Sequence, residues 1–245
     1  MIRAALTIAA TVALVAAGLA LGGPLGATVV AGTIAVVALA VRLLFARFAH
    51  AMFRAGRMEE ARRYYRVLAA LAWRRRRRDA AQVSIAASWI GDGAYARGLE
   101  VLATVAPERL DPEVRAGWLN NRAYARLRLG ADAAEATAAL ADVRAALALY
   151  AEVPALLHTE ALALYACGDL DAAIAAWESL WERAELPARL DAERCDDLAA
   201  AWARRGETSY ADDYRRRAVA AVPVAPWRSA AAASSSPLPA LPVLD

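Results

Sequence analysis

The sequence predicts an all-α protein in which an N-terminal membrane hairpin is followed by a solenoid of about five helix pairs. Three observations lead to this prediction. Of the 245 residues, 60% are hydrophobic, a larger share than soluble domains usually contain. Residues 4–41 include no charged side chain. Downstream, five glycines recur at intervals of 37 or 38 residues, each between two stretches with the periodicity of an α-helix.

The uncharged stretch is too long for one membrane crossing of about 20 residues and long enough for two. Its middle, Gly22–Gly26, contains three glycines and a proline, residue types that favour a tight reversal of the chain. We therefore predict transmembrane helices at about residues 2–21 and 27–45, which together form a hairpin domain over residues 1–45.

The positions of the arginines predict the orientation of this hairpin. Arg3 precedes the first segment, Arg42 and further arginines follow the second, and the turn between them is uncharged. Because cytoplasmic flanks are enriched in basic residues, both ends are expected in the cytoplasm. The sequence thus predicts a multi-pass protein of the inner membrane with a cytoplasmic repeat domain. All 29 basic residues are arginines, which is typical of a GC-rich bacterial genome.

A cleaved signal peptide is the alternative interpretation of the N-terminal segment. Residues 1–22 have a short basic start, an apolar centre and small residues near the end, as signal peptides do. In that case, the repeats form an extracytoplasmic binding module.

A basic block follows the second membrane segment. Residues 42–78 contain twelve arginines and only two acidic residues, whereas residues 79–245 are net acidic. Anionic lipid head groups attract such juxtamembrane cations by about 1 kcal/mol each. We predict that five consecutive arginines face anionic lipid, namely Arg74, Arg75, Arg76, Arg77 and Arg78. Nucleic acid is the less favoured partner of this block, because the repeats downstream are acidic and a membrane segment lies upstream.

The recurring glycines define a unit of helix, glycine turn and helix. They are Gly56, Gly93, Gly130, Gly168 and Gly206. Small residues lie seven positions before each glycine (Ala49, Ala86, Ala123, Ala161, Ala199) and five or six after it (Ala61, Gly98, Ala136, Ala173, Ala211). Small side chains at these places let the two helices of a unit approach closely. Larger apolar residues then form a core that continues from unit to unit.

These residues resemble the tetratricopeptide repeat, in which a small residue, a glycine seven positions later and a second small residue recur in this order. The fifth unit matches the pattern at Leu198, Ala199, Trp202, Gly206, Ala211, Ala218 and Pro223. The resemblance covers about residues 43–223. It departs from the family in its longer period, in one extra residue in the third unit and in the missing terminal proline of most units.

The resemblance implies a right-handed solenoid whose first helices line a concave groove that often takes a peptide. Transferring that geometry places seven candidate groove residues on this chain: Asn120, Asn121, Tyr124, Arg128, His158, Leu162 and Tyr165. Amide, aromatic and guanidinium groups suit recognition of peptide backbone and carboxylate. The expected partner is a protein or peptide, and a homo-oligomer stays an open possibility. The chain contains no lysine, so the carboxylate-clamp subclass is not assigned.

The remaining motifs give no support for catalysis. There is no GxSxG, HExxH or P-loop pattern, and two cysteines and two histidines are too few for a disulfide framework or a zinc site. We expect no catalytic residue, no metal and no cofactor. Residues 224–245, rich in alanine, serine and proline, are predicted to be a disordered tail. The sequence as a whole predicts a non-catalytic interaction scaffold anchored in the membrane.

Overall fold

The computed structural model describes residues 2–183, 186–225 and 227, and over these residues the protein is all-α. The α-helices are α1 (Ile2–Arg54), α2 (Met58–Ala70), α3 (Arg75–Gly91), α4 (Tyr95–Leu102), α5 (Pro112–Arg128), α6 (Ala133–Leu149), α7 (Pro154–Ala166), α8 (Leu170–Arg183), α9 (Ala188–Arg205) and α10 (Thr208–Ala221). One 3₁₀ turn, Pro107–Arg109, precedes α5. The predicted all-α class is confirmed.

The first helix differs from the predicted pair of separate transmembrane helices. α1 is one element in which Gly23 alone leaves helical backbone angles, with φ of 60° and ψ of −155°. The helix is bent there, because a Cβ added to Gly26 would overlap the carbonyl oxygen of Gly18, whereas eight residues of straight helix span about 12 Å. By length and composition the described residues contain one candidate membrane span, Thr11–Arg54, whose most apolar window has a mean hydropathy of 2.4. The described residues thus give one helical element bent at Gly23, and the hairpin of two spanning helices stays a prediction.

The five repeating glycines end the first helix of each pair, as predicted. All five have positive φ, from 74° at Gly56 to 91° at Gly206, a conformation that glycine adopts without the steric cost of a Cβ atom. At four of the five, Gly56, Gly93, Gly168 and Gly206, the N–H of the next residue donates to the carbonyl five positions back, as in Glu207 to Trp202 at 2.9 Å. This left-handed cap satisfies carbonyl groups that the helix end would otherwise leave free. The helices consequently pair as α1 with α2, α3 with α4, α5 with α6, α7 with α8 and α9 with α10.

The small residues on either side of these turns lie where the paired helices touch. All ten predicted positions are buried: Ala49, Ala61, Ala86, Gly98, Ala123, Ala136, Ala161, Ala173, Ala199 and Ala211. At Gly98 the approach is so close that a Cβ would lie 2.5 Å from Cγ1 of Ile90. The predicted register of the repeat is confirmed.

The hydrophobic core continues along the solenoid. Three clusters of buried residues follow one another, centred on Tyr65 in the first pair, Leu102 and Trp118 in the second and third, and Trp177 in the fourth. Each cluster joins residues from neighbouring pairs, so no pair has a complete core alone.

The chain continues against α9 after the last helix. Ala225 and Trp227 pack on Ala192, and Nε1 of Trp227 donates to Oδ2 of Asp196 at 2.8 Å. Most of the segment predicted as a disordered tail, residues 228–245, lies outside the described residues.

Candidate binding site on the concave face

The first helices of the pairs surround a cavity of about 400 Å³. Its walls come from every pair: Phe53 of α1, Ile90 of α3, Asn120 of α5, Ala155 of α7 and Leu190 of α9 are among the lining residues. A second cavity of about 580 Å³ lies beside it and shares Phe53, Ala87 and Asn121 with the first. The two cavities form one concave site that extends toward the α2–α3 connection.

Four of the seven predicted groove residues line the first cavity, namely Asn120, Asn121, Tyr124 and His158. The side-chain oxygen of Asn120 is buried and has no hydrogen-bond donor within the described part of the chain. Burial of an unpaired carbonyl oxygen is costly unless a ligand or water supplies the donor. Asn120 is therefore a residue of the cavity wall at which a hydrogen-bond donor is missing.

A buried ionic network occupies the concave face beside the cavity. Arg128 of α5 donates from both terminal nitrogens to the carboxylate of Asp197 of α9, each at 2.7 Å. Nε2 of His158, on α7, lies 3.1 Å from the same carboxylate. Burial alone would raise the pKa of Asp197, but Arg128 and His158 lower it to about 2. Arg128 and His158 thus serve a contact between α5, α7 and α9.

Two further hydrogen bonds connect α9 to α5 and α3 across the concave face. The hydroxyl of Tyr124 donates to Oε1 of Glu193 at 2.9 Å, and burial raises the pKa of Tyr124 well above its usual value, so the hydroxyl remains a neutral donor. Arg189 donates to the carbonyl oxygen of Gly91, at the end of α3, at 2.6 Å. Together these bonds make α9 one wall of the site.

The last two predicted residues lie apart from this cavity. Leu162 is buried in the core of the fourth pair. Tyr165 packs on Trp177, with ring centroids 6.0 Å apart, and the guanidinium carbon of Arg204 lies over the Tyr165 ring, 5.4 Å from its centroid.

The seven candidate groove residues include none from the wall that α9 contributes, and Arg189 and Glu193 of that wall were missed. Arg189, Glu193 and Asp197 follow one another at intervals of four residues, so they share one face of the helix. This row of charged residues along one helix face is the signal that could have identified it. The partner residues on α3 and α5 leave no such signal, because they are far away in the sequence.

The described residues provide neither a metal site nor a reactive buried thiol. Among them, no three histidine, cysteine or acidic side chains are grouped as a metal ion requires. Burial raises the pKa of the Cys195 thiol to about 11, so this thiol stays protonated at neutral pH and is a poor nucleophile.

The five helix pairs share one local geometry. Each pair ends its first helix at a left-handed glycine and buries small residues at the same two places. The described helices thus have the helix-pair architecture that the resemblance to the tetratricopeptide repeat implies. Their concave face, however, is crossed by side chains of α9 that bond to α3 and α5, so the groove that the resemblance implies is here a partly closed cavity.

Comparison with known proteins gives structural matches alone. No family model and no curated protein matches the sequence. Among solved structures, a MamA double mutant is 16% identical with a TM-score of 0.45, and the match covers 74% of this chain and 94% of that one. A second MamA structure is 16% identical with a TM-score of 0.42, covering 81% and 97%. YrrB, described as a tetratricopeptide protein with an unusual peptide-binding site, is 14% identical with a TM-score of 0.38, covering 73% and 85%. At these TM-scores, no residue role is transferred from them.

Proposed function

We propose that this protein is a non-catalytic scaffold that binds an extended segment of a partner protein in its concave cavity. The observation that carries the proposal is the cavity lined by all five helix pairs, one of whose lining residues, Asn120, has a buried side-chain oxygen with no hydrogen-bond donor among the described residues. A backbone N–H of a bound peptide would supply the missing donor. An extended peptide presents such donors at regular intervals along its length.

The other walls suit the remainder of a peptide. Phe53, Ile90 and Leu190 offer apolar surface, while Asn121 can bond the backbone where the two cavities meet. Since α9 partly closes the face, we propose an extended segment rather than a helix, which with its side chains is about 10–12 Å wide. A cavity of this size lies in the usual range for small ligand sites, roughly 300–1,000 Å³.

The proposal is tested with selected peptides. Random twelve-residue peptides are selected against the full chain in detergent, and the affinity of the strongest binder is measured for the wild type, for Asn120→Leu and for Thr137→Val. Thr137 is exposed on α6 and serves as the control. We expect Asn120→Leu to weaken binding about tenfold or more, equivalent to about 1.4 kcal/mol, and Thr137→Val to leave it unchanged. Equal binding by both variants, or failure to select any binder, would contradict this function.

We also propose that α1 anchors the protein in the inner membrane, with its two arms forming the hairpin and both ends in the cytoplasm. The support is the apolar stretch of α1 and the bend at Gly23. No residue in the most apolar 18-residue window of α1 is buried inside the protein. The alternative, a cleaved signal sequence followed by an extracytoplasmic domain, is favoured by the position of the same stretch at the N-terminus.

A further inference from the structure

We propose that Trp73, with Arg74 and Arg75, forms a lipid-contact site that holds the first helix pair against the surface of an anionic bilayer. This inference rests on the proposed anchoring of α1 in the membrane. It concerns the connection between α2 and α3, where Leu71 and Ala72 line the second cavity but Trp73, Arg74 and Arg75 do not.

The packing of α2 on α1 places this connection beside the end of the apolar stretch. Tyr64 lies against Phe45 and Phe48, with ring centroids 5.6 and 6.0 Å apart, and the hydroxyl of Tyr65 is 3.0 Å from Nδ1 of His50. The helices are antiparallel, so the last residues of α2 lie opposite about residues 39–45 of α1. The uncharged stretch of the chain ends within that range, at Val41.

Trp73 is almost entirely outside the core. Its side chain is 91% exposed, whereas Trp118, Trp177 and Trp227 are each 6% exposed or less. Leu71 beside it is also exposed, and so are Leu43 and Leu44 on the adjoining part of α1. Tryptophan at the boundary between lipid tails and head groups buries its ring and keeps its N–H hydrated. A bilayer around α1 would therefore cover an apolar surface that the fold leaves open.

The neighbouring arginines have the charge that such a surface requires. Arg76 pairs with Asp111, Arg78 donates to the carbonyl oxygen of Ala72 at 3.2 Å, and Arg77 lines the second cavity. Arg74 and Arg75 are exposed, and neither forms an ion pair with any described residue. Of the five arginines predicted to face lipid, these two are therefore the pair we assign to phosphate head groups.

Tryptophan fluorescence can report on this contact directly. The chain has seven tryptophans and Trp73 is the first of them, so α1 contains none. If the full chain is reconstituted into liposomes whose lipids carry bromine near the head group, any quenching comes from the repeat domain. The liposomes are made either of phosphatidylcholine alone or of phosphatidylcholine with phosphatidylglycerol.

We expect quenching of the wild type in the anionic liposomes and at least a twofold smaller quenched fraction for Trp73→Phe. Trp181→Phe, which alters an exposed tryptophan on α8, is the matched control and should be quenched like the wild type. Arg74→Gln combined with Arg75→Gln should remove the difference between the two lipids. The same change at Arg215 and Arg216, on α10, should not. At 1 M salt, where the screening length is about 3 Å, the effect of charge should disappear.

Flotation of the liposomes after an alkaline wash separates the two hypotheses. If the protein floats but Trp73→Phe is quenched like the wild type, or neutral and anionic lipids quench equally, the lipid-contact site is wrong while the anchoring stands. If the protein does not float, both fail. If there is no Trp73-dependent quenching but a labelled single-stranded oligonucleotide binds in a way that requires Trp73 and both arginines, the site belongs to nucleic acid and the inference is overturned.

Discussion

At the scale of single residues, the ion pair between Arg128 and Asp197 is the contact on which the shape of the site depends. The side chains are 15% and 10% exposed, and they join helices that are 69 positions apart in the sequence. Removing one member of a buried pair leaves an uncompensated charge, which lowers the free energy of unfolding by about 3–5 kcal/mol. Replacing both members by apolar residues is often neutral.

We therefore predict that Arg128→Leu lowers the free energy of unfolding by about 3–5 kcal/mol at pH 7 and that adding Asp197→Leu restores most of the loss. The control is Arg205→Leu, which breaks a pair with Asp171 whose side chains are 46% and 81% exposed and should cost at most about 1 kcal/mol. The free energies of unfolding of the three variants are measured by urea unfolding of the full chain in mild detergent, monitored by circular dichroism.

The low pKa of Asp197 gives this prediction a pH dependence. A carboxyl with a folded pKa of about 2 stabilises the folded state fully above the pKa of the unfolded chain, about 3.9. This contribution is lost as the pH falls through about 2. The difference between the wild type and Arg128→Leu should thus be largest above pH 4 and shrink toward pH 2. A difference that is small at pH 7, or that does not change with pH, would contradict the assignment.

At the scale of helices and turns, the sequence predicted what depends on local geometry. A glycine such as Gly206 reveals a left-handed turn, and a small residue such as Ala173 reveals a close helix contact, because both follow from spacing within one unit. The bonds from α9 to α3 and α5 depend instead on how far the stacked pairs curve. That curvature is the sum of many small rotations between units, and no single repeat records it.

The close helix contacts predict where added volume cannot be accepted. Ala173 is 0% exposed between α7 and α8, whereas Ala175, two residues later on the same helix, is exposed. We expect Ala173→Phe to destabilise the fold by about 1–3 kcal/mol through overpacking, and Ala175→Phe to have little effect. Melting curves of the two variants, recorded side by side in detergent, test this. Identical melting temperatures would contradict the overpacking expected at Ala173.

At the scale of the whole molecule, the length of α1 has to be reconciled with the thickness of a bilayer. The candidate span Thr11–Arg54 has 44 residues and would measure about 66 Å as a straight helix, about twice the hydrocarbon core of 30 Å. If α1 anchors the protein as proposed, the bend at Gly23 resolves this mismatch. It lets the arm before it and the apolar part of the arm after it lie side by side, each near the thickness of the core.

This arrangement predicts where the two ends of the chain lie. Arg3 and the arginines from Arg42 onward flank the apolar arms, while the bend carries no charge, so the bend should cross to the periplasm and both ends should stay in the cytoplasm. In a bacterial host, alkaline phosphatase joined after Asp245 should be inactive, and a green fluorescent protein at the same place should be fluorescent. Phosphatase inserted between Gly23 and Pro24 should be active.

N-terminal sequencing of the purified protein should begin at residue 1 or 2. Active phosphatase after Asp245, together with a new N-terminus near Gly22, would instead establish an exported repeat domain and would show that the second arm does not span the membrane.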